Sequence, residues 1–137
     1  MTKIILSLRG KYFAGIISGL KDWEIRKTYP KRRGVFEAYV YESKFGGGLG
    51  MVVGRIEFDF ILPAYSPLEL NDKKTMLDLS KLYDYANGKT LYAWHISKAE
   101  KFKKPLPLSE FGLERAPQNW QYIKGENDDK ANKKANK

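Results

Sequence analysis

Cysteine is absent from the 137-residue sequence, and histidine occurs only once. The lack of cysteine excludes disulfide bonds, thiolate nucleophiles and cysteine-bound zinc or iron–sulfur clusters. A single histidine also argues strongly against a histidine-built metal centre. We therefore expect neither a metal ion nor another cofactor.

Long apolar segments are missing as well. No uninterrupted run of about 18 apolar residues exists, so neither a membrane-spanning helix nor a membrane partner is expected. The first residues, MTKIILSLRGKYF, lack the apolar run and the small-residue cleavage site of a signal peptide. These absences predict a cytoplasmic protein.

The apolar content is sufficient for one packed domain. Hydrophobic residues make up 42% of the chain and aromatic residues 14%, which excludes a largely disordered protein. The length is typical of one domain, since domains cluster near about 100–150 residues. The last fourteen residues, KGENDDKANKKANK, contain no large apolar side chain. We predict a domain over residues 1–124 and a disordered, charged tail over residues 125–137.

The charge is strongly positive. Twenty-five lysines and arginines against sixteen acidic residues give a net charge of +9. Such an excess favours a polyanionic partner, nucleic acid before membrane, because long-range attraction and counterion release both strengthen binding. A soluble basic surface without any partner is the alternative that composition alone leaves open.

Residues 21–33, KDWEIRKTYPKRR, are the most basic part of the predicted domain. Six basic and two acidic residues give this segment a net charge of +4. The basic residues are Lys21, Arg26, Lys27, Lys31, Arg32 and Arg33.

Hydrophobic periodicity predicts an α+β domain. Alternating segments indicate strands, and apolar residues at i, i+3 and i+4 indicate helices. Short connections between several strands, with helices at the ends, favour a small mixed β-barrel or curled sheet flanked by short helices. Strands are predicted over residues 3–9, 23–26, 35–42, 51–62 and 90–102, and a closing strand within residues 116–123. Helical segments are predicted over residues 11–18, 66–69, 75–87 and 108–111.

Three details of this pattern are specific. The segment TMLD predicts that Thr75 caps the second long helix. Pro105 and Pro107 are expected to end the last long strand. In the strand over residues 51–62, shared parity predicts one buried face formed by Val52, Ile56, Phe58, Phe60 and Leu62.

Three other motifs carry little functional signal. The glycine-rich segment over residues 46–50 lacks the Lys-Ser/Thr ending of a P-loop and joins two strands, so we expect a flexible hairpin. His95 is interpreted as a structural or surface residue, because no partner can be assigned to it from sequence. The polar parity of Arg55, Glu57 and Asp59 predicts a solvated face of the sheet.

Lys21, Glu24 and Arg26 form a stronger candidate. Glu24 and Arg26 share one face of their strand, while Trp23 and Ile25 occupy the other and are expected in the core. A carboxylate beside two cations stays ionised and orients them, which would leave Arg26 free to form a fork onto an anion. An ordinary surface ion-pair ladder is the alternative.

The segment ILSLRGKYFAGIISGLKDWEIRK resembles the opening of ASCH domains, a family of PUA-like β-barrels. The family pattern is a first strand ending in a basic residue, here Arg9, then a short helix and G-x-K-x-x-E-x-R, here residues 19–26. The segments VYESK, MVVGRIEFDFI, AWHISKAEKFKKPLPLSEFG and RAPQNWQYI also resemble small ASCH proteins of Firmicutes and their phages. The resemblance covers about residues 3–123, and it departs from many relatives at Gly10, where they have proline.

This resemblance implies a PUA-like barrel with a cleft that binds RNA or a nucleotide, in a regulatory role. Lys21, Glu24 and Arg26 would line the cleft, with Ser43 nearby. DNA is a possible competitor, and the oligomeric state stays open. The full set of expected ligand-binding residues is Arg9, Lys21, Glu24, Arg26, Lys27, Lys31, Arg32, Arg33 and Ser43.

Some relatives are enzymes, so a hydrolase acting on RNA or a modified nucleoside is the alternative. In that case Glu24 would act as base and Lys21 would stabilise developing negative charge. The branch that hydrolyses acetylcytidine has threonine at the position of Glu24, so its hydroxyl nucleophile is absent here. Thr28 lies beyond the strand and is no evident substitute.

Overall fold

The computed structural model describes residues 1–123 and Lys134. The predicted tail, residues 125–137, lies outside the described residues except for Lys134. The Lys134 ammonium forms an ion pair with Glu110, at 2.9 Å. Among the described residues, no helix is both long enough and apolar enough to cross a membrane.

One sheet of six strands organises the described part of the chain. Strands β1 and β3 pair in parallel, whereas every other neighbouring pair is antiparallel. The sheet curls into a half-barrel with the order β2-β5-β4-β3-β1-β6, which confirms the predicted α+β fold. The strands are β1 (Thr2–Leu8), β2 (Trp23–Arg26), β3 (Phe36–Glu42), β4 (Val52–Ala64), β5 (Leu91–Leu106) and β6 (Trp120–Tyr122).

In the part of the chain that the structure describes, two α-helices and two short 3₁₀ helices accompany the sheet, as the periodicity predicted. Helix α1 spans Gly10–Ile17 and helix α2 spans Leu79–Ala86, and the 3₁₀ helices span Pro67–Leu70 and Leu108–Phe111. The first 3₁₀ helix has the complete capping box expected at Ser66. Both α-helices pack into hydrophobic clusters with residues of the sheet, and both contribute residues to the site described below.

The core lies inside the curve of the sheet. The rings of Phe36, Phe58 and Trp94 pack with centroids 5.1 to 5.4 Å apart, and all three are fully buried. Phe13 and Ile16 of α1 join this cluster, because their spacing places them on one helical face.

Within the described residues, strand β2 forms no ladder with β1 or β6 at the other side of the sheet. Instead, the Arg26 guanidinium donates to the Ser7 carbonyl at 3.0 Å, and the Trp120 indole donates to the Thr28 hydroxyl at 3.0 Å. We call the line of these two contacts the seam. It joins the half-barrel edges through side chains rather than through a continuous sheet.

The predicted buried face of β4 is wrong beyond Phe58. Val52, Ile56 and Phe58 are buried, but Phe60 and Leu62 are exposed. The register between β4 and β5 shifts between Glu57 and Phe58 and again before Phe60. A bulge inserts an unpaired residue, so alternation counted across it assigns side chains to the wrong face.

Two boundaries also differ from the prediction. Asp78, not Thr75, caps α2, and its carboxylate accepts the Lys81 amide hydrogen bond at 2.8 Å. Strand β5 continues through Pro105 to Leu106, because the register jumps from the pair Gly54–Lys101 to the pair Val52–Leu106. The proline therefore lies in a bulge, where no ladder donor is needed.

Candidate functional site

A cleft of about 550 Å³ opens between the end of β1, strand β2 and helix α2. Its lining combines backbone from the sheet with charged and aromatic side chains from both helices. The lining residues are Ser7, Leu8, Arg9, Lys11, Tyr12, Lys21, Glu24, Ile25, Arg26, Leu77, Lys81, Tyr85 and Asn119.

The cleft is strongly electropositive. Its lining contains five cationic side chains and one carboxylate, which give a net charge of +4 at neutral pH. Two tyrosine side chains, Tyr12 and Tyr85, stand among these charges. A concave site with this combination suits an anionic ligand that also has a flat, unsaturated ring.

Lys21 is held in the wall of the cleft by the end of α1. Gly19 has a positive φ of 84°, and the amide groups of Leu20 and Lys21 donate to the Gly15 carbonyl, so the chain turns sharply. The Lys21 side chain is thereby buried, with 2% of the residue exposed. Its ammonium donates to the Thr75 carbonyl at 2.7 Å and pairs with Glu24 at 3.2 Å.

Glu24 lies between two cations. One carboxylate oxygen faces the Lys21 ammonium, and the other accepts from Arg26 Nη2 at 2.9 Å and Nε at 3.3 Å. Burial by itself raises the pKa of the Glu24 carboxyl, but the charges and hydrogen bonds of Arg26 and Lys21 outweigh it and hold the pKa below its ordinary value. Glu24 is therefore an ionised, buried carboxylate.

The surface ion-pair interpretation of this cluster is wrong, because Lys21 and Glu24 are only 2% and 4% exposed. Glu24 and Arg26 do share one face of β2, as the alternation predicted. Ile25 is buried on the other face, whereas Trp23 is only partly buried and packs on the edge of Phe60, 5.6 Å away. The predicted core position of Trp23 is thus reached only in part.

Arg26 is less free than the sequence indicated. Its Nε and Nη2 groups are engaged by Glu24 and by the Ser7 carbonyl, so the fork faces a protein carboxylate. Nη1 forms no hydrogen bond with the described residues, and the predicted contact of Arg26 with a ligand stays a prediction. Arg26 therefore positions the seam and the cleft at the same time.

Arg9 lines the cleft, and its predicted contact with a ligand stays a prediction. Its guanidinium stacks 4.1 Å from the ring centroid of Phe45, which projects from the glycine-rich loop between β3 and β4. Positive φ values at Gly46 and Gly47 form this loop. The predicted connection between two strands is confirmed, and it places an exposed aromatic ring beside the cleft.

Ser43 does not line the cleft. Its hydroxyl accepts the Phe45 amide hydrogen bond at 3.1 Å, and its own amide donates to the Leu8 carbonyl at 2.9 Å. The geometry gives Ser43 a part in shaping the glycine-rich loop, and its predicted contact with a ligand stays a prediction.

The basic segment over residues 21–33 is divided by the fold. Lys27 places its ammonium 4.7 Å from the ring centroid of Tyr85, at the edge of the cleft. Lys31, Arg32 and Arg33 instead lie in the loop after β2 and do not line the cleft. Within residues 1–123, none of these three forms an ion pair with a carboxylate.

Sequence reasoning missed nine lining residues, of which six are polar: Ser7, Lys11, Tyr12, Lys81, Tyr85 and Asn119. Lys81 and Tyr85 have a recognisable signal, because side chains four residues apart lie on one face of a helix. Asn119 has no such signal, since its place depends on the pairing of β6 with β1.

His95 lies outside the cleft. Its Nδ1 is 2.7 Å from an Asp59 carboxylate oxygen, and its ring packs against both Trp23 and Phe60. The interpretation of His95 as a structural or surface residue agrees with these contacts. In the described part of the chain, no group of acidic and histidine residues has the arrangement of a metal site.

Comparisons with known proteins agree on one fold. The ASCH domain family model matches residues 6–106. ASCH from Zymomonas mobilis superimposes with a TM-score of 0.79 at 18% identity, covering 94% of this chain and 92% of that one. A tyrosine-to-phenylalanine variant of the same protein gives 0.80 at 16% identity, covering 96% of both chains.

A third solved structure is more distant. The N-terminal domain of McrB from Staphylothermus marinus gives a TM-score of 0.57 at 9% identity, covering 96% of this chain and 93% of that one. At these identities the similarities establish the fold alone. A search of curated proteins finds no match.

Proposed function

Because the chain belongs to the ASCH domain family, we propose that its basic cleft binds RNA or a nucleotide, in a regulatory role within the cytoplasm. The observation that carries this proposal is the buried cluster of Lys21, Glu24 and Arg26 in the wall of a cleft with a net charge of +4. The expected relationship to small Firmicutes and phage proteins stays a prediction.

The ion pairs favour a rigid binding site. Burying a charged group costs several kcal/mol unless it is paired, so Lys21 and Glu24 hold each other in place. A preformed wall reduces the entropy that a ligand must lose on binding. Lys21 and Arg26 thereby present fixed positive charge, while Nη1 of Arg26 provides directed donors.

The remaining cations and rings match the two halves of a nucleotide. Arg9, Lys11 and Lys81 form no ion pair within the described residues, so their charges are available to phosphate groups. Tyr12 and Tyr85 present aromatic surface in the same cleft, on which a base can stack. This division favours a ligand with both an anionic and an aromatic part.

The same contacts do not favour the hydrolase alternative. Both oxygens of Glu24 are engaged by cations, and its lowered pKa makes it a weak proton acceptor. Thr28, the neighbouring hydroxyl, accepts a hydrogen bond from Trp120 in the seam. We therefore assign Lys21 and Glu24 a positioning role.

Substitution of two lysines in the cleft tests the proposal without disturbing the buried cluster of Lys21, Glu24 and Arg26. The variant Lys11→Ala/Lys81→Ala removes two lysines that form no ion pair in the described residues. The matched control, Lys101→Ala/Lys103→Ala, removes the same charge from the far part of β5. Binding of a labelled RNA and of free nucleotides is measured by fluorescence anisotropy and calorimetry.

The cleft variant should lose about a hundredfold or more in affinity, because charge-assisted contacts contribute roughly 1.5–3 kcal/mol each and two are removed. The control should bind nearly as well as the wild type. Equal losses of affinity in both variants would show that the cleft contributes no more to binding than other basic parts of the surface. Absence of RNA and nucleotide binding by the wild type at low salt would refute the function itself.

A further inference from the structure

We propose that the ligand is a single-stranded RNA that leaves the cleft along the seam and stacks bases on Tyr29 and Tyr122. This inference rests on the proposed function of the cleft and specifies its substrate class. It assigns a role to a surface that neither the family match nor the cleft geometry explains.

Two exposed tyrosines flank the loop after β2. Tyr29 is 45% exposed and Tyr122 is 51% exposed. Each ring is supported by another aromatic ring: Tyr29 contacts Tyr92, with centroids 4.6 Å apart, and Tyr122 contacts Trp120, with centroids 5.3 Å apart. Such supported rings present a fixed face to solvent, which lowers the entropic cost of stacking a base.

The loop between these tyrosines supplies positive charge. Lys31 and Arg33 are exposed, and the Arg32 guanidinium lies 5.6 Å from the ring centroid of Tyr29. Nε of Arg32 is buried without a hydrogen-bond partner among the described residues. Cations interleaved with aromatic rings are typical of surfaces that bind single strands, where phosphates and bases alternate.

The loop and β6 are joined at this surface. The backbone amide of Lys31 donates to the Tyr122 hydroxyl at 2.7 Å. This contact places both tyrosines on neighbouring parts of one surface, with the loop cations beside them.

The surface is continuous with the cleft. Asn119 lines the cleft and begins the path, and its carbonyl accepts the Ser7 amide hydrogen bond at 3.0 Å. Trp120 then contacts Thr28 across the seam, and Tyr122 follows on the same strand. Three strand residues span about 10 Å, so the tyrosines lie within reach of a single strand held in the cleft.

The geometry favours single strands over duplexes. A duplex keeps its bases stacked inside and offers the protein its backbone and grooves, so exposed tyrosines gain little from it. Single strands expose each base to stacking, which contributes roughly fivefold or more in affinity per base on alanine substitution. RNA is the expected form, and DNA of the same sequence is an arm of the test.

The experiment compares ligand length across five proteins. A mononucleotide and single-stranded RNAs of about 4 to 16 nucleotides are titrated into the wild type, Tyr29→Ala, Tyr29→Phe, Tyr122→Ala and the matched control Tyr83→Ala. Tyr83 is 47% exposed on α2 and outside the cleft. A duplex RNA and a single-stranded DNA complete the set.

Affinity of the wild type should rise with strand length. Tyr29→Ala should weaken the longest single strands about fivefold or more while leaving the mononucleotide unaffected, and Tyr29→Phe and Tyr83→Ala should match the wild type. Tyr122→Ala should weaken the long strands in the same way.

Three results would overturn the inference while leaving the cleft function intact. In the first, a mononucleotide binds as tightly as every longer strand. In the second, the Tyr29→Ala variant binds long strands as tightly as the wild type does. In the third, a duplex binds as tightly as single strands. Tighter binding of DNA than of RNA would also overturn the assignment of RNA. If the wild type binds none of the ligands, the proposed function itself fails.

Discussion

The Lys21 ammonium and the Glu24 carboxylate lie 3.2 Å apart in a buried ion pair. They come from the turn after α1 and from β2, and the Thr75 carbonyl, 54 residues from Lys21, accepts a further hydrogen bond from the same ammonium. The pair therefore links three segments of the chain at the wall of the cleft.

Loss of the ammonium should destabilise the fold. We expect Lys21→Met to lower the free energy of unfolding by about 3 kcal/mol, the lower end for breaking a buried pair, because Glu24 keeps Arg26 as a partner. Urea denaturation followed by circular dichroism measures this change. Lys98→Met, at an exposed position on β5, is the control, and a loss below about 1 kcal/mol in Lys21→Met would contradict the account.

Stability should depend on pH through Glu24. Its folded-state pKa lies below the ordinary value of 4.5, so the unfolded chain binds the proton more readily than the folded protein. The stabilisation is fully present above the ordinary pKa and is lost as the pH falls through the folded-state pKa. Thermal melts below about pH 5 should therefore show a shallower decline in Glu24→Gln than in the wild type, and parallel declines would exclude Glu24 as a source.

Lysine should not fully replace Arg26 in stability or in ligand binding. Arg26→Ala removes hydrogen bonds to Glu24 and to the Ser7 carbonyl, so it should lower both stability and ligand affinity. Arg26→Lys should restore only part of either, because one ammonium lacks the planar fork that spans two acceptors. Unfolding and binding measured on the same preparations test this, and full rescue by lysine would show that only charge matters.

Local features of this site are predictable from sequence, whereas features that depend on distant parts of the chain are not. Strict alternation in β2 correctly placed Glu24 and Arg26 on one face, because the period of a strand is local. Burial of the pair was not predictable, since it depends on Thr75 and Ser7, which are distant in sequence.

The same reason explains the error in β4. Alternation failed at Phe60 because the bulges arise from pairing with β5, and a single strand gives no sign of them. The glycine-rich loop was correctly predicted as a connection, but its role in placing Phe45 beside Arg9 needs the folded geometry.

The loop cations should act mainly through charge. Neutralising Lys31, Arg32 and Arg33 to alanine should reduce the slope of log K against log salt by about 0.7 per lost phosphate contact. Affinity for different RNA sequences should fall by similar factors, because phosphates carry no sequence information. Salt titrations of this variant and of the control Lys101→Ala/Lys103→Ala/Lys104→Ala, which loses the same charge, measure this effect. An unchanged slope in the loop variant would show that the loop does not contact the RNA.

The most direct measurement of the central claim is amide chemical-shift mapping by NMR while a nucleotide or short RNA is titrated into the full chain. We predict that the signals of Ser7, Tyr12, Glu24, Arg26 and Asn119 shift together, because these residues line one cleft. The signals of Glu37, Arg55 and Glu57, which line a separate hollow on the sheet, should stay in place. Shifts confined to that hollow, or no shift with any ligand, would contradict the account.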